Sequence, residues 1–259
     1  MTLRVVPLGS GSGGNATLVE LGGARVLVDA GLSARTLARR LVALGVEPGS
    51  LDGVLLSHEH GDHARGAEGF SKRFGVPVHA ASETLRALDL SHVHLAAWAP
   101  FVPGEPFEVR GIRVDPFPVP HDAARPVGFV LARDGRRVGV ATDLGHATTL
   151  VIERLRGCDV LVIESNYDPT MLRDGPYPWA LKQRVGGRTG HLSNVEAAEL
   201  LSDVVDDRLK AVVLAHLSEH NNTPALARRT AAAALARTPG RRAAMRVASA
   251  RGPTPTVVV

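Results

Sequence analysis

The sequence has little cysteine and no long apolar run, and each shortage excludes a class of protein. Its 259 residues contain one cysteine, Cys158, so an internal disulfide is impossible and a disulfide-stabilised secreted scaffold is excluded. No apolar run approaches the length of a membrane span, and the run at the N-terminus is too short for a signal peptide. We therefore expect a soluble, cytoplasmic protein with no membrane partner.

Acidic residues are missing from the C-terminal part of the chain. Residues 224–259 contain seven arginines and no Asp or Glu, so they carry +7; the whole chain carries +4, so the other residues sum to −3. Such a segment can bind polyanions. A helix with a solvated face, in a chain rich in Arg and Ala, explains the same composition, and charge alone favours this simpler explanation.

The hydrophobic content is high enough for a large core. Hydrophobic residues make up 44% of the chain, which excludes a disordered or collagen-like protein, and the length suits one domain over residues 1–259. Apolar runs between turn residues predict strands at 3–8, 16–21, 25–29, 51–57, 76–80, 105–118, 127–133, 136–142, 160–164, 211–215, 246–249 and 256–259. Apolar spacing and caps predict helices at 33–44, 64–74, 150–156, 194–205 and 224–237. This pattern indicates a mixed α/β domain.

The eleven histidines include a dense cluster at the end of a predicted strand. The cluster reads His58-x-His60-x-Asp62-His63. In an extended segment, residues two apart point the same way, so His58 and His60 can bind one ion, and the following loop can turn Asp62 and His63 toward a second. Imidazole and carboxylate ligands without thiolates favour Zn or Mn. The alternative for this cluster is a solvated loop, which three histidines and an aspartate so placed make improbable.

Three further candidates follow apolar strands, at the edge where α/β folds place their sites. They are His121, Asp143 and His216. For any one of them alone, a capping or supporting role is the simpler interpretation. Of the remaining histidines, His79 is predicted within a strand, and His92 and His94 on the surface.

The cluster is the signature of the metallo-β-lactamase superfamily, and the sequence resembles that superfamily over nearly its whole length. The late segment at residues 189–218 resembles ribonuclease Z. Segments between residues 9 and 224 look closely like the YycJ/WalJ group of exonuclease-like proteins; they include residues 9–15, 120–122, 142–145, 177–184, 190–194 and 216–224. The chain departs from the group at Tyr167, where a histidine is usual. The resemblance implies a four-layer αββα sandwich of two mixed sheets with helices on the outer faces, forming a single domain.

The resemblance also implies a ligand set and a reaction. His58, His60 and His121 would hold one divalent ion, Asp62, His63 and His216 a second, and Asp143 would bridge the two Zn or Mn ions together with a hydroxide, the nucleophile. Asp62 would also orient that hydroxide. Asp29 would support the site without binding metal. His191 would bind the scissile phosphate or protonate the leaving oxygen; its alternative role is in capping the helix that follows.

Several polar residues are candidates for binding phosphate groups. The loop at residues 9–15 offers Ser10, Ser12 and Asn15 and a nest of backbone N–H groups, although it can equally be a tight turn. Four polar residues flank the late histidines, where a helix N-terminus can be capped and bind an anion at once: Ser193, Asn194, Asn221 and Asn222. Lys182 and Arg184 lie in a basic stretch with Tyr177 and Arg188 that suits a nucleic-acid backbone, or is simply a solvated loop.

These residues predict a binuclear metal-dependent phosphodiesterase. The resemblance favours a nuclease, a 5′-to-3′ exonuclease acting on DNA rather than RNA. A hydrolase of a small cyclic phosphodiester, lactone or thioester is the alternative, because the same metal core serves all of these substrates. A non-catalytic binding protein on a decayed hydrolase fold is disfavoured, since none of the seven expected ligands is missing.

Overall fold

The computed structural model describes residues 2–88 and 98–259, which include two seven-stranded mixed sheets. The first sheet has the order β14-β1-β2-β3-β4-β5-β6. Its strands are β1 (Leu3–Gly9), β2 (Ala16–Leu21), β3 (Ala24–Val28), β4 (Gly53–Leu55), β5 (Val78–Ala81), β6 (Trp98–Phe101) and β14 (Val257–Val258). Strands β14 to β3 pair antiparallel and β3 to β6 pair parallel.

The second sheet has the order β13-β12-β11-β10-β9-β8-β7. Its strands are β7 (Phe107–Val109), β8 (Ile112–Pro118), β9 (Val127–Arg133), β10 (Arg136–Ala141), β11 (Val160–Glu164), β12 (Ala211–Ala215) and β13 (Ala244–Val247). Strands β7 to β10 pair antiparallel, and β10 to β13 pair parallel. The carboxyl ends of β10, β11 and β12 therefore meet at one edge.

The helices connect these strands and cover the sheets. They are α1 (Ala34–Ala43), α2 (Gly61–Ala64), α3 (Ala67–Phe74), α4 (Ser82–Ala87), α5 (Thr149–Leu155), α6 (Pro169–Asp174), α7 (Trp179–Val185), α8 (Asn194–Val204) and α9 (Pro224–Leu235), with 3₁₀ turns at Pro48–Ser50 and Pro239–Arg242. No helix of the described ranges has the length and apolarity to cross a bilayer.

Three apolar clusters explain why these elements stack in four layers. The central cluster joins the inner faces of the two sheets, for example Val5 and Val26 of the first with Phe129 and Val213 of the second. Another packs the first sheet on α1 and α3, and the third packs the second sheet on α5, α8 and α9. Burial of apolar surface in all three clusters favours this arrangement. The predicted αββα sandwich is confirmed.

Local predictions differ from the structure at several elements. The strand predicted at 105–118 is a hairpin, because Arg110 and Gly111 turn the chain with φ of 51° and 82°. The helix predicted at 64–74 is split into α2 and α3. Strand β6 and helices α4, α6 and α7 were not predicted. His92 and His94 lie outside the described residues, so their predicted surface position is not addressed.

Candidate metal centre

The histidine cluster lies where the first sheet ends and a short helix begins. After β4 the chain runs through His58 and His60, and α2 then carries Asp62 and His63. Gly31 lets the neighbouring loop approach this turn, since a Cβ at Gly31 would lie 1.7 Å from the backbone oxygen of Asp62. The backbone N–H of Asn15 donates to that same oxygen at 2.7 Å. The turn is thus fixed by backbone contacts on one side.

The second sheet supplies residues from the carboxyl ends of its strands. Asp143 follows β10, Glu164 ends β11 and His216 follows β12, while His121 comes shortly after β8. These strand ends converge on the histidine cluster. The sequence-based expectation that His121, Asp143 and His216 lie beside the cluster agrees with this geometry.

Nitrogen and oxygen donors of these residues form two compact triads. In each triad the donor atoms lie within 4.8 Å of one another. The triads are His58, His60 and His121, and Asp62, His63 and His216. Asp143 lies between them: its Oδ2 atom is 2.8 Å from Nε2 of His63, and its Oδ1 atom is 3.7 Å from Nε2 of His121.

Protein groups hold the outer nitrogen of most of these imidazole rings. Nδ1 of His63 contacts Asp29 Oδ2 at 2.8 Å, and Nδ1 of His121 contacts the carbonyl oxygen of Gly190 at 3.1 Å. Nδ1 of His58 contacts the Ser57 hydroxyl at 2.9 Å. Such contacts fix the tautomer and the ring orientation of a metal-binding histidine, so Nε2 is the candidate ligand atom of these three rings. Nε2 of His63 lies 3.0 Å from the side-chain amide nitrogen of Asn15.

Asp29 contacts two residues of the candidate site. Its Oδ1 atom accepts a hydrogen bond from the backbone N–H of Ser57 at 2.8 Å, and its Oδ2 atom accepts from the Ser57 hydroxyl at 3.0 Å and contacts His63. Asp29 is 3% exposed. The Ser57 hydroxyl that it binds also contacts Nδ1 of His58. One carboxylate therefore orients two of the candidate ligands.

Three site residues have left-handed backbone conformations. Asp29, Asp143 and His216 have φ of 61°, 54° and 55°. Each directly or closely follows a strand, so the positive φ turns the chain sharply there. This conformation is unfavourable for a residue with a Cβ, and its clustering at strand ends is typical of functional sites.

The donor set and its electrostatics fit divalent cations. Nε2 of His58 is buried without a hydrogen-bond partner. Burial lowers the pKa of His63 and of His216, but the negative charge of nearby carboxylates, above all Asp143, has a larger opposite effect. The pKa of His63 is therefore well above its usual value, and that of His216 rises to about 10. The negative charge that attracts these protons also attracts a cation. Cys158 packs in the core of the second sheet, which leaves nitrogen and oxygen ligands, the donors that suit Zn or Mn.

A cavity of about 250 Å³ opens over the donors. Its walls combine candidate ligands with residues of the segment before His191. They are Ser12, His60, Asp62, His121, Asp122, Asp143, Tyr177, Leu181, Arg184, Val185, Gly190, His191 and His216. His58 and His63 are 1% and 0% exposed, so these two donors are shielded from solvent, whereas His60, Asp62 and His121 border the cavity.

His191 lies in the cavity wall and is tied to Glu164. Its Nδ1 atom is 2.8 Å from Oε1 of Glu164 and 3.5 Å from Oδ1 of Asp143. Its side chain is 20% exposed, so the ring borders the cavity. Burial lowers the pKa of His191, but Glu164 more than compensates and raises it above its usual value.

Glu164 is a site residue that the sequence reasoning missed. It is fully buried, and Oε1 contacts Nδ1 of His216 at 2.9 Å as well as His191. Oε2 accepts hydrogen bonds from the backbone N–H groups of Leu144 and Leu192 at 2.9 and 3.0 Å. Burial raises the pKa of Glu164, but the charge of His191 and the hydrogen bonds from His191 and His216 lower it to about 2. An acidic residue at the end of an apolar strand was the available signal, the same one that identified Asp143.

Six of the nine predicted phosphate-binding residues are buried. Their side chains form hydrogen bonds within the protein, and contact with substrate stays a prediction for them. The six are Ser10, Asn15, Ser193, Asn194, Asn221 and Asn222. The Ser10 hydroxyl accepts from the backbone N–H of His216 at 2.7 Å, and Asn15 bonds across its own loop to Gly11.

The late serine and asparagines stabilise the start of α8. Ser193 forms a capping box with Glu196, and the side-chain amides of Asn194 and Asn222 bond each other at 2.9 Å. The side-chain amide of Asn222 also donates to the carbonyl oxygen of Asn166 at 3.0 Å. Caps and anion sites use the same polar side chains near a helix N-terminus, so sequence could not separate them.

The other three predicted phosphate-binding residues lie toward solvent. Ser12 and Arg184 line the cavity, and Arg184 also pairs with Asp122 at 2.7 Å. Lys182 lies on the same helix, α7, but donates to the carbonyl oxygen of Arg173 at 2.7 Å. Tyr167, the departure from the group's pattern, is 7% exposed, and its carbonyl oxygen accepts from the N–H of Asn194.

Comparison with known proteins agrees with this fold. The family model described as "Beta-lactamase superfamily domain" matches residues 24–217. The exodeoxyribonuclease YycJ of Bacillus anthracis is 35% identical over 88% of this chain and 87% of its own length. The exodeoxyribonuclease WalJ of Streptococcus pneumoniae is 34% identical over 86% of this chain and 84% of its own.

A solved structure supports the fold independently of close sequence similarity. The metallo-β-lactamase fold protein YhfI from Bacillus subtilis superposes with a TM-score of 0.77 at 17% identity and covers 100% of this chain and 99% of its own. The chain belongs to the β-lactamase superfamily. Within it, the chain is a hydrolase related over most of its length to the YycJ and WalJ proteins, as the sequence resemblance predicted.

Proposed function

We propose that the chain is a binuclear metal-dependent exonuclease that cleaves DNA. The observation that carries this proposal is the pair of donor triads joined by Asp143 beneath one small cavity. The relatives named exodeoxyribonucleases, matched over most of both chains, support DNA as the substrate. The 5′-to-3′ direction is carried over from the resemblance to the YycJ/WalJ group.

The residues that would hold the ions are the members of the two donor triads and Asp143. His58, His60 and His121 suit one ion, and Asp62, His63 and His216 a second, with Asp143 between them. When bound, two divalent ions supply a water of lowered pKa and positive charge facing the phosphoryl oxygens. Asp62, whose side chain is 25% exposed, would orient that water from the cavity side.

His191 supplies the proton for the leaving oxygen in this proposal. Its Nδ1 is held by Glu164 at 2.8 Å, so the other ring nitrogen, Nε2, is available in a residue that lines the cavity. Positioned acids of this kind contribute roughly 10²–10⁴-fold to a rate. The contact with Glu164 keeps the ring from turning as the proton leaves.

The cavity itself favours removal of terminal nucleotides. A volume of about 250 Å³ is below the roughly 300–1,000 Å³ of ordinary ligand pockets, which suits one nucleotide unit better than a continuous duplex. Ser12 and Arg184 stand at its walls, where a hydroxyl and a guanidinium can bind the phosphate oxygens.

The test is hydrolysis of end-labelled DNA and RNA with 5′-phosphate or 5′-hydroxyl ends, with and without Mn²⁺ or Zn²⁺. We expect metal-dependent release of mononucleotides from DNA, beginning at the 5′ end. Release from RNA alone would reassign the substrate, and internal cutting would exclude an exonuclease.

A small-molecule hydrolase is the second candidate, and the small cavity is the observation in its favour. A small generic phosphodiester, tested beside the DNA and RNA substrates, distinguishes a small-molecule hydrolase from a nuclease. Hydrolysis of that ester, with all nucleic acids left intact under every metal condition, would overturn the nuclease proposal.

A further inference from the structure

One wall of the cavity is the basic stretch for which the sequence left two interpretations open, a contact for a nucleic-acid backbone or a solvated loop. Residues 173–188, here called the rim segment, include α7. Leu181, Arg184 and Val185 line the cavity, and their spacing of three and four residues places them on one side of the helix. The rim segment therefore has one side toward the candidate catalytic site and one toward solvent.

Trp179 lies on the solvent side of the rim segment and is 72% exposed. It begins α7, and helical geometry puts it on the side opposite Leu181 and beside Lys182. The chain contains only two tryptophans, and the other, Trp98, packs against the core of the first sheet. A large apolar side chain left in water is informative because its burial would be favourable.

The neighbouring aromatic residue connects Trp179 to the cavity. Tyr177, two residues before it, lines the cavity and contacts the ring of His220, with centroids 5.8 Å apart. The aromatic pair thus spans from the cavity wall to the outer side of α7. A polymer leaving the cavity over this wall would pass both rings.

The rim segment is rich in cations, which suit a polyanion, although Arg173 pairs with Asp174 and Arg184 with Asp122. It contains Arg173, Lys182, Arg184 and Arg188 against one acidic residue, Asp174, which gives +3. Aromatic faces between cations are the arrangement with which proteins bind single-stranded nucleic acids: the cations follow the backbone and the rings stack on unpaired bases. Paired bases inside a duplex have neighbours on both faces and so offer none for such stacking.

We propose that Trp179 stacks on an unpaired base of the substrate strand, a few nucleotides from the phosphate in the cavity, so that the rim segment grips a single strand. This inference rests on the proposed nuclease function. It names the form in which the strand is bound at the site: the terminal nucleotides are separated from any complementary strand before cleavage.

Tryptophan fluorescence tests the binding step without relying on turnover. The Mn²⁺-loaded protein is titrated with a phosphorothioate oligodeoxynucleotide, which resists hydrolysis. We expect quenching in the wild type and in Trp98→Phe, but not in Trp179→Ala. Absence of quenching in the wild type, or its persistence in Trp179→Ala, would overturn the proposal even if the protein degrades DNA.

Substrates that lack one base test the stacking step. Trp179→Ala should raise KM for single-stranded DNA roughly tenfold, whereas Trp179→Phe should retain most of the affinity because it keeps an aromatic ring. Val42→Ala is the control: Val42 is also exposed, at 58%, and its truncation should leave KM unchanged. An abasic site scanned along the strand should, at one position, weaken wild-type binding to the level of Trp179→Ala and leave the variant unaffected. Equal losses for both proteins at every position would refute stacking by Trp179.

The two proposals fail in distinguishable ways. Nucleic-acid hydrolysis with an unchanged Trp179→Ala variant overturns only the rim inference, whereas quenching without hydrolysis overturns only the nuclease.

A second copy of the chain is the competing occupant of this surface. A dimer in sedimentation equilibrium that Trp179→Ala dissociates, together with no quenching by oligonucleotide, would assign the surface to self-association.

Discussion

Oε1 of Glu164 lies 2.9 Å from Nδ1 of His216. The same oxygen lies 2.8 Å from His191, so one buried carboxylate orients both a candidate metal ligand and the candidate acid. Because the pKa of Glu164 is about 2, the carboxylate is ionised at neutral pH and can only accept hydrogen bonds. Each ring must then carry its proton on Nδ1, which directs Nε2 of His216 toward Asp62, 3.3 Å away.

Glu164→Gln should therefore impair the site although it preserves size. The Gln amide nitrogen would face a donor, since all four partners of Glu164 are N–H groups. We expect a 10- to 100-fold loss of metal affinity or activity, the range found for groups that orient metal ligands. Metal titration and hydrolysis rates measure it, with Glu199→Gln on the exposed side of α8 as the control. A near-normal Glu164→Gln protein would show that this carboxylate does not position the site.

Removing a candidate ligand should abolish activity while the protein stays folded. His216→Ala and Asp143→Asn should each lose orders of magnitude in rate, because the donors sit at strand ends rather than in the apolar clusters. Asn is the matched replacement at Asp143, since it tolerates the left-handed conformation better than Ala. Rates are compared with circular dichroism melts of the same samples. If either variant retained most of its activity, the ligand assignment would be wrong.

Cys158 should resist thiol reagents in the folded protein. Burial raises the pKa of its thiol to about 11, and the residue is 2% exposed, so both the thiolate and access to it are lacking at pH 8. Ellman's reagent should react only after urea unfolding. Burial of the neutral thiol also contributes to the free energy of unfolding. That contribution is fully present below about pH 8.5, the pKa of a cysteine in the unfolded chain, and is lost as the pH rises through about 11. Rapid reaction without urea would contradict this burial.

Ser193→Ala should lower the free energy of unfolding by about 1 kcal/mol, the usual contribution of a helix N-cap. The variant removes both hydrogen bonds of the Ser193 hydroxyl to Glu196, at 2.6 and 3.1 Å. Urea denaturation measures the change, and Ser202→Ala later in α8, an exposed position, should shift stability by less than about 0.5 kcal/mol. Indistinguishable curves for wild type and Ser193→Ala would show that the cap is energetically neutral.

The metal cluster was accessible from the sequence because its spacing is local. His58 to His63 carry their pattern within six residues, and the strand-end rule added His121, Asp143 and His216. The four layers followed from the resemblance, and apolar runs located most of the strands.

Other features depend on packing that local sequence does not encode. Helix α7 has no buried residue, so it lacks the apolar stripe by which a helix is predicted. Asn194 and Asn222 look like surface polar groups until the fold places them against each other. Glu164 was overlooked because β11 reads as an apolar strand whose last residue is simply its boundary.

The left-handed conformations of Asp29, Asp143 and His216 lower the stability of the fold but position side chains that the candidate site requires. Each costs of order 1–2 kcal/mol relative to a residue without a Cβ, and glycine would relieve that cost while deleting a side chain that the site requires. A copy of this gene freed from selection for activity would therefore gain stability by drifting to glycine at these three strand ends. Their retention as Asp, Asp and His in this sequence is what a functioning enzyme, rather than an inert descendant of one, would show.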